Sequence, residues 1–417
     1  MRVYLRTFGC RANQYDSEVV RAMVERAGGE LVAHPEDADV ALFNSCAVTT
    51  DAEADLRQSV RRAARARPGL RSVVMGCAAA LARPAGAPGS LCDLPTVEHV
   101  LPGADFAAVA GALGLPPAAA RATAIAQAGA RALLRVQDGC DEHCTFCATT
   151  LARGANRSRP AAALVDEARA LADRHPEIVL TGVHIGSYGA DAGSSLGALV
   201  ERLVREVPRV RFRLSSIEAT EVDDRLRELL AGDPARVAPH LHAPLQSGSD
   251  RLLRRMGRHW YSASRYAAAV DRVVGGRAVF ALGADVIAGF PGESEDDHRA
   301  TLALVEALPF TTLHVFPYSV RPGTAAERLP DRVPGNVVAR RAAELRDLAA
   351  RKGAAYRAAR AGGEADVVVV GAAAGGREGL TEDYLTVALA DTTLPRGHRF
   401  AARLALANGV LTAGGTE

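Results

Sequence analysis

Short apolar runs alternate with longer amphipathic stretches along most of this chain, the pattern of strands buried between layers of helices. Runs at 3–8, 40–44 and 72–75 predict three strands. A helix beginning near Asp16 or Ser17 carries Val19, Val20, Met23, Val24 and Ala27 on one face and stops at Gly28 and Gly29, as an amphipathic helix with a glycine stop does. Residues 1–105 therefore predict a doubly wound α/β domain. The Ala-, Gly- and Pro-rich stretch 106–130 reads as a helix followed by a linker. Beyond it, strands are predicted at 133–137, 178–182, 212–216, 241–245, 284–289 and 313–318, with helices at 161–174, 196–207, 262–274 and 295–308. This repetition predicts a partial (β/α)6 barrel over 131–355 with its active site at the carboxyl-terminal mouth. A long helix at about 337–360 leads into β runs at 365–370, 384–389, 399–406 and 410–413, which predict a small antiparallel β-barrel over 356–417.

Composition narrows the function classes. With 417 residues the chain can hold two or three domains, each with its own core. A formal charge of +2 gives no global commitment to nucleic acid, and Lys352 is the sole lysine, which argues against Schiff-base chemistry. Met1 runs straight into the first strand pattern without a leader, and the apolar stretch 107–115 is short and followed by Pro116 and Pro117. A cytoplasmic protein without a membrane span is expected. In that compartment seven cysteines read as metal ligands rather than disulfides.

Three of them, Cys140, Cys144 and Cys147, form a C-x3-C-x2-C loop after the first barrel strand. Three thiolates on one tight loop can hold three irons of a 4Fe-4S cubane and leave the fourth iron open. Zinc completed by His143 is the competing reading, although neighbours such as His143 and Cys144 converge poorly on one tetrahedral ion. Cys10, Cys46 and Cys77 follow the carboxyl ends of the three amino-terminal strands, which lie side by side in a parallel sheet. They suggest a second metal site; three unrelated core cysteines are the alternative. Cys92 has no partner spacing.

The cysteine loop resembles the signature of radical S-adenosylmethionine enzymes, and the whole chain resembles their methylthiotransferase family. Matching segments are 7–18 (TFGCRANQYDSE), 43–49 (FNSCAVT), Gly76-Cys77, Ala152-Arg153-Gly154 with Arg157 and Arg159, 244–250 (PLQSGSD), 285–293 (DVIAGFPGE), and 316–319 (FPYS) with 321–324 (RPGT). The resemblance implies an amino-terminal methylthiotransferase domain, a radical core and a carboxyl-terminal TRAM barrel. It implies two 4Fe-4S clusters, one on Cys140, Cys144 and Cys147 and an auxiliary one on Cys10, Cys46 and Cys77. It further implies S-adenosylmethionine as cofactor, tRNA as partner, an electron donor such as flavodoxin or ferredoxin, and a sulfur donor. In such enzymes a 5′-deoxyadenosyl radical activates a carbon that no side-chain base could deprotonate.

Within the family the 13–18 and 181–189 segments most resemble the branch acting on threonylcarbamoyl-adenosine of tRNA; isopentenyl-adenosine of tRNA or a ribosomal-protein aspartate are the alternatives. A zinc-stabilised nucleic-acid module without catalysis is the reading from a different class. Phe146 is expected against the adenine of the cofactor, Thr181 and Gly182 near its ammonium group, and Ser216, Glu218 and Gln246 near ribose and methionine. Arg153, Arg157 and Arg159 are candidates for substrate phosphates, Arg153 also for a substrate carboxylate, and His184 for the substrate. Two departures stand out. Ala148-Thr-Thr-Leu151 replaces the bulky residues usual after the last cysteine, and residues 361–417 carry four arginines against seven acids, a poor phosphate binder by charge. The run Arg57, Arg61, Arg62, Arg65 and Arg67 is a candidate compensating face.

Overall fold

The computed structural model describes residues 1–47, 50–373 and 376–415; Val48 and Thr49 of the 43–49 motif lie outside them. The chain divides into two compact units, 1–128 with 137–157 and 319–327, and 129–136 with 158–318 and 328–417. The expected boundary near 130 is thus crossed more than once: the cysteine loop, placed by sequence in the barrel domain, belongs to the first unit.

In the first unit, strands β1 (Arg2–Thr7), β2 (Glu30–Val32), β3 (Val40–Ser45), β4 (Arg71–Gly76) and β5 (Val97–Pro102) form a parallel sheet of order β2-β1-β3-β4-β5. Every residue of β3 is buried, as expected for a central strand covered on both faces. Sequence reading missed β2 and β5: β2 has only three residues, and the outermost β5 alternates weakly, with Glu98 and His99 exposed. Helix α1 (Arg11–Arg26) begins at least five residues earlier than predicted. Its first turns bury Asn13, Asp16 and Ser17, so polar residues face inward where an apolar stripe marks a helix for the reader. Helices α2 (Thr50–Ala66), α3 (Cys77–Ala80), α4 (Phe106–Leu113) and α5 (Thr149–Arg153) complete this unit's helical set, and the short strands β7 (Gln137–Asp138) and β8 (Arg157–Ser158) bracket the cysteine loop. On α2, Arg57 is pinned by Glu53 and the Gly89 carbonyl, while just beyond the helix Arg67 donates to the carbonyl of Ala38.

The second unit contains β6 (Ala132–Arg135), β9 (Glu177–Thr181), β10 (Arg211–Leu214), β11 (His240–His242), β12 (Ala281–Ala288) and β13 (Thr312–Pro317). They form two parallel sheets, β10-β9-β6 and β11-β12-β13, joined by single bridges Phe212 to Val237 and Ser216 to His242. This is the expected six-stranded open barrel. Between its strands run α6 (Ala161–Ala172), α7 (Leu196–Glu206), α8 (Asp224–Ala231), α9 (Asp250–Arg255), α10 (Ala263–Val274) and α11 (Glu295–Ala307). Leu180, Phe212, Leu241, Ala284 and Val286 share one core with helix residues such as Leu164, Leu199 and Val270. The alternate residues of those strands face away from the helices.

Helix α12 (Gly335–Arg360) leads to a closed five-stranded barrel, β14 (Glu364–Ala373), β15 (Gly376–Leu380), β16 (Thr386–Leu389), β17 (Arg399–Ala407) and β18 (Val410–Gly415). It is consistent with a TRAM domain. Sequence reading missed the glycine-rich β15, and one closing pair, β16 with β18, is parallel rather than antiparallel. Among the described residues no helix is long and apolar enough to cross a membrane.

One buried acid ties this unit together. Glu177 on β9, fully buried, accepts from Arg211 Nε at 2.6 Å and Arg213 Nε at 2.7 Å, both also fully buried. Arg211 reaches the Asp366 carbonyl and Arg213 the Thr381 carbonyl of the small barrel. Burial pushes the Glu177 carboxyl up, but the two guanidiniums outweigh it and hold it well below the usual range. Glu177→Gln withdraws the carboxylate that the two buried cations share, leaving Arg211 with Asp366 at 3.3 Å and Arg213 with backbone and ring contacts, and is expected to cost roughly 3–5 kcal/mol in denaturant unfolding. Because the folded pKa is depressed, Glu177's stabilisation is present above the unfolded pKa and is lost only as pH falls below about 4.5 and through the folded value. A variant as stable as the parent at pH 7 would contradict this role.

Candidate metal centres

Strands β1, β3 and β4 are sheet neighbours in parallel register, so the residues leaving their carboxyl ends emerge together. Cys10 stands at the N-cap of α1, Cys46 directly follows β3, and Cys77 opens α3. Glycines make the approach feasible. Gly9 has φ +95°, and a Cβ there would lie 2.6 Å from both Cβ and Sγ of Cys46. At Gly76, φ +96°, a Cβ would meet Asn44 Oδ1 and the Ser45 carbonyl at 2.5 Å.

Asn13 organises this corner. Its amide nitrogen donates to the carbonyls of Phe8 (3.0 Å) and Ser45 (2.7 Å), fixing the turns before Cys10 and Cys46. Its Oδ1 lies 4.0 Å from Cys10 Sγ and 3.8 Å from Cys77 Sγ. Arg153 completes the corner from α5. Its guanidinium donates to Asn13 Oδ1 (2.7 Å), Asp16 (2.8 Å), Asp138 (3.1 Å) and Cys77 Sγ (3.3 Å), with the side chain only 2% exposed. This corrects the expectation for Arg153: a buried cation paired with two acids is not available to a phosphate or a substrate carboxylate.

Burial raises the Cys77 thiol to about 11 in spite of the nearby Arg153, and the charges of Cys10 and Cys46 push the same way. Three converging thiols, of which Cys77 resists ionisation when bare, are suited to a cationic metal cluster, which deprotonates its ligands outright. The donor set therefore fits an iron–sulfur cluster held by Cys10, Cys46 and Cys77.

The second triplet lies on the loop after β7. Gly139, φ +74°, is enclosed so closely that a Cβ would sit 1.9 Å from the Ala155 carbonyl oxygen. The Cys140 amide bonds the Gly154 carbonyl (3.0 Å), and Gln137 clamps the turn through the Gly139 carbonyl (2.6 Å) and Asn156 (2.7 Å). Backbone N–H groups of Glu142 and Thr149 point at Cys140 Sγ and Cys147 Sγ, each 3.4 Å away. Donors aimed at sulfur tune a bound cluster. The Ala326 amide bonds the Thr145 carbonyl (2.8 Å), fastening the segment 319–327 to the loop. Cys140, Cys144, Cys147 and Phe146 are all half-buried, whereas His143 is exposed. Three half-buried thiols on one clamped loop also fit a cluster. Cys92 is exposed.

The remaining sequence candidates lie in the second unit, apart from the exposed Arg157. Thr181 is 1% exposed and its hydroxyl has no protein partner, an orphaned polar atom at the end of β9. Gly182 next to it is half-buried, and Ser216 is exposed. Glu218 is buried and ion-paired with Arg258, yet its Oε2 has no partner; burial raises its carboxyl above the usual range despite Arg258. Arg258 is fixed by Tyr261 (2.9 Å) and by stacking on Trp260, 4.8 Å from the ring. Gln246 has φ +63°, a strained value for a non-glycine residue. Orphaned hydroxyl, orphaned carboxylate oxygen and strained strand end together suit a polar cofactor. His184 is held by Glu221 at 2.8 Å, and Arg159 by Glu167 at 2.7 Å and the Arg135 carbonyl at 2.8 Å. Arg159 is thereby committed within its unit, which leaves Arg157, 59% exposed, as the accessible member of the proposed arginine trio.

Sequence reading missed Asn13, Asp16 and Asp138 as a shared hub, and a group formed by His242, Asp285 and His314 whose ligand atoms lie within 4.8 Å of one another. Asn13, Asp16 and Asp285 stood in the matching motifs, but neither spacing nor charge marked them as partners.

Residues 2–86 match the Uncharacterized protein family UPF0004 and residues 134–305 the Radical SAM superfamily. The chain is 35% identical to the threonylcarbamoyladenosine tRNA methylthiotransferase MtaB of Thermotoga maritima over 347 residues, 80% of this chain and 78% of that protein. It is 33% identical to the tRNA-2-methylthio-N(6)-dimethylallyladenosine synthase of Erythrobacter litoralis, over 88% of this chain and 85% of that one. Among solved structures, the radical S-adenosylmethionine methyltransferase TsrM of Kitasatospora setae superposes with TM-score 0.58 at 16% identity, covering 78% of this chain and 75% of that chain. That likeness extends to the fold.

Anaerobically reconstituted protein is expected to hold about eight irons, two cubanes. Cys144→Ala should lose about half the iron and all reductive cleavage of S-adenosylmethionine; Cys46→Ala should lose a similar share yet keep cleavage. Loss of all iron in either of these, or loss of a cluster in Cys92→Ala, would refute this division of ligands.

Proposed function

We propose, since this chain belongs to the radical S-adenosylmethionine tRNA methylthiotransferase family, that it inserts a methylthio group at carbon 2 of threonylcarbamoyladenosine beside the anticodon of tRNA. The observation that carries the finer reading is the likeness of segments 13–18 and 181–189 to that branch. The dimethylallyl-adenosine reading stands second, because relatives of that name reach 33–36% identity.

In this reading Cys140, Cys144 and Cys147 hold the cluster that receives S-adenosylmethionine, and Cys10, Cys46 and Cys77 hold the auxiliary one. When bound, these groups supply the one-electron and sulfur-transfer chemistry. The protein's own contributions are positional. Phe146 offers an apolar face to the adenine, and the Thr181 hydroxyl and Glu218 Oε2 offer hydrogen bonds that the protein leaves unmade. Arg258 keeps Glu218 in place, and Glu221 keeps His184 in place. The Glu142 and Thr149 amides hold Cys140 and Cys147 in orientations set by backbone rather than by mobile side chains. Arg157 is the candidate phosphate contact, and a flavodoxin- or ferredoxin-like donor and a sulfur donor complete the reaction.

Reconstituted enzyme, reductant and S-adenosylmethionine should methylthiolate tRNA bearing threonylcarbamoyladenosine, read by mass spectrometry of nucleosides. The same tRNA lacking that group should give no product. Efficient conversion of dimethylallyladenosine instead would overturn the assignment.

A further inference from the structure

We propose that His242, Asp285 and His314 form the subsite that receives the carboxylate of the substrate's amino-acid substituent, with His314 as the contacting residue. The inference rests on the threonylcarbamoyl reading above and identifies what in this chain would recognise that group.

The three residues come from neighbouring parallel strands. His242 pairs with Gly283, and Asp285 pairs with His314. Leu241, Ala284 and Val286 are buried in the helix-covered core. Strand alternation therefore sets His242, Asp285, His314 and Phe316 on the opposite face, the inside of the open barrel. His242 Nε2 lies 3.0 Å and His314 Nδ1 3.2 Å from the same oxygen of Asp285, and the two rings are 5.0 Å apart. Gly283 makes this convergence feasible: a Cβ there would lie 2.7 Å from His242 Nδ1.

Burial pushes the Asp285 carboxyl up, but hydrogen bonds from His242 and His314 outweigh it and hold it below the usual range, so it is an anion at neutral pH. An anion on Nδ1 orients the His314 ring and serves as counter-ion when the ring is an imidazolium, with Nε2–H directed at a ligand. The His314 side chain is 59% exposed against 12% for His242, which marks His314 as the contacting group and His242 as its support. Phe316 lies two residues on along the same face, about 7 Å away by strand geometry, partly exposed and edge-on to His314. That spacing suits a purine on Phe316 whose ureido-linked amino acid ends at His314. An apolar dimethylallyl group would gain nothing from two imidazoles and a carboxylate, and would strip them of water.

The test compares two tRNAs, one bearing threonylcarbamoyladenosine and one whose threonyl carboxylate is converted to the neutral amide. Wild-type kcat/KM should fall about 10- to 100-fold on the amide, the worth of one charge-assisted hydrogen bond. His314→Gln should fall similarly on the acid, mainly through KM, and much less on the amide, so that discrimination between the two substrates shrinks towards unity. Asp285→Asn, which frees the ring, should lose part of it. Iron content and cleavage of S-adenosylmethionine without tRNA should match wild type in both variants, separating recognition from misfolding. Equal discrimination by wild type and His314→Gln, or none by wild type, would overturn the subsite while leaving the proposed function standing. Activity restricted to dimethylallyladenosine would remove both.

Discussion

A guanidinium buried almost completely, with carboxylates on two sides and a thiol on a third, constrains the first unit more than any apolar contact does. Removing Arg153 from water costs several kcal/mol unless its charge is matched and its donors are used. Asp16 on α1 and Asp138 before the cysteine loop supply the charge, and Asn13 and Cys77 take further donors. The cation therefore fastens three chain segments: the helix after Cys10, the turn at Cys77, and the strand that launches Cys140. The elements that present the two cysteine triplets are thus held to one buried charge, and moving any of them would expose an uncompensated ion. That explains why a position expected to meet a phosphate is instead internal.

The second unit solves a related problem with the opposite sign. Glu177 is the buried anion, Arg211 and Arg213 its partners, and their spare donors end on backbone carbonyls of the small barrel. Arg360 repeats the device at the end of α12, paired with Glu382 and Asp383 at 2.8 Å each. The acids that make the last domain look unsuited to tRNA are partly spent here: Asp366, Glu382 and Asp383 face arginines of the same unit. Counting charge along the sequence overstated the negative surface the barrel shows to a polyanion, because ion pairing within a fold removes charge from the field outside it.

What the sequence made legible follows from what repeats locally. Periodicity of two or of 3.6 located the central strands of the parallel sheets and most helices, because burial on a fixed face is written into consecutive residues. It failed where burial was polar, as at the start of α1, where strands were very short or weakly alternating, as in β2 and β5, and where glycine replaced a side chain, as in β15. The grouping of six cysteines into two triplets was legible because thiol placement after strands and tight loop spacing are themselves local. Arg153 was misread because its partners Asp16 and Asp138 lie up to 137 residues away and nothing in the spacing announces them. Arg159 likewise has a partner, Glu167, that the sequence did not announce.

The His242, Asp285 and His314 group was invisible for a more instructive cause. Each residue occupies an ordinary alternate position of a barrel strand, and their meeting depends on strand register together with one missing side chain at Gly283. A barrel interior lined only with apolar residues would treat any substituent on a base as bulk to be accommodated. One that carries a fixed carboxylate with two imidazoles penalises substituents that cannot hydrogen-bond, since buried polar groups left unpaired cost more than a matched pair gains. Overall identity to relatives with either substrate name is nearly the same, so it does not distinguish the two substituents, and the side chains that meet the base have to. Those on the inner face of β11, β12 and β13 are placed to carry it.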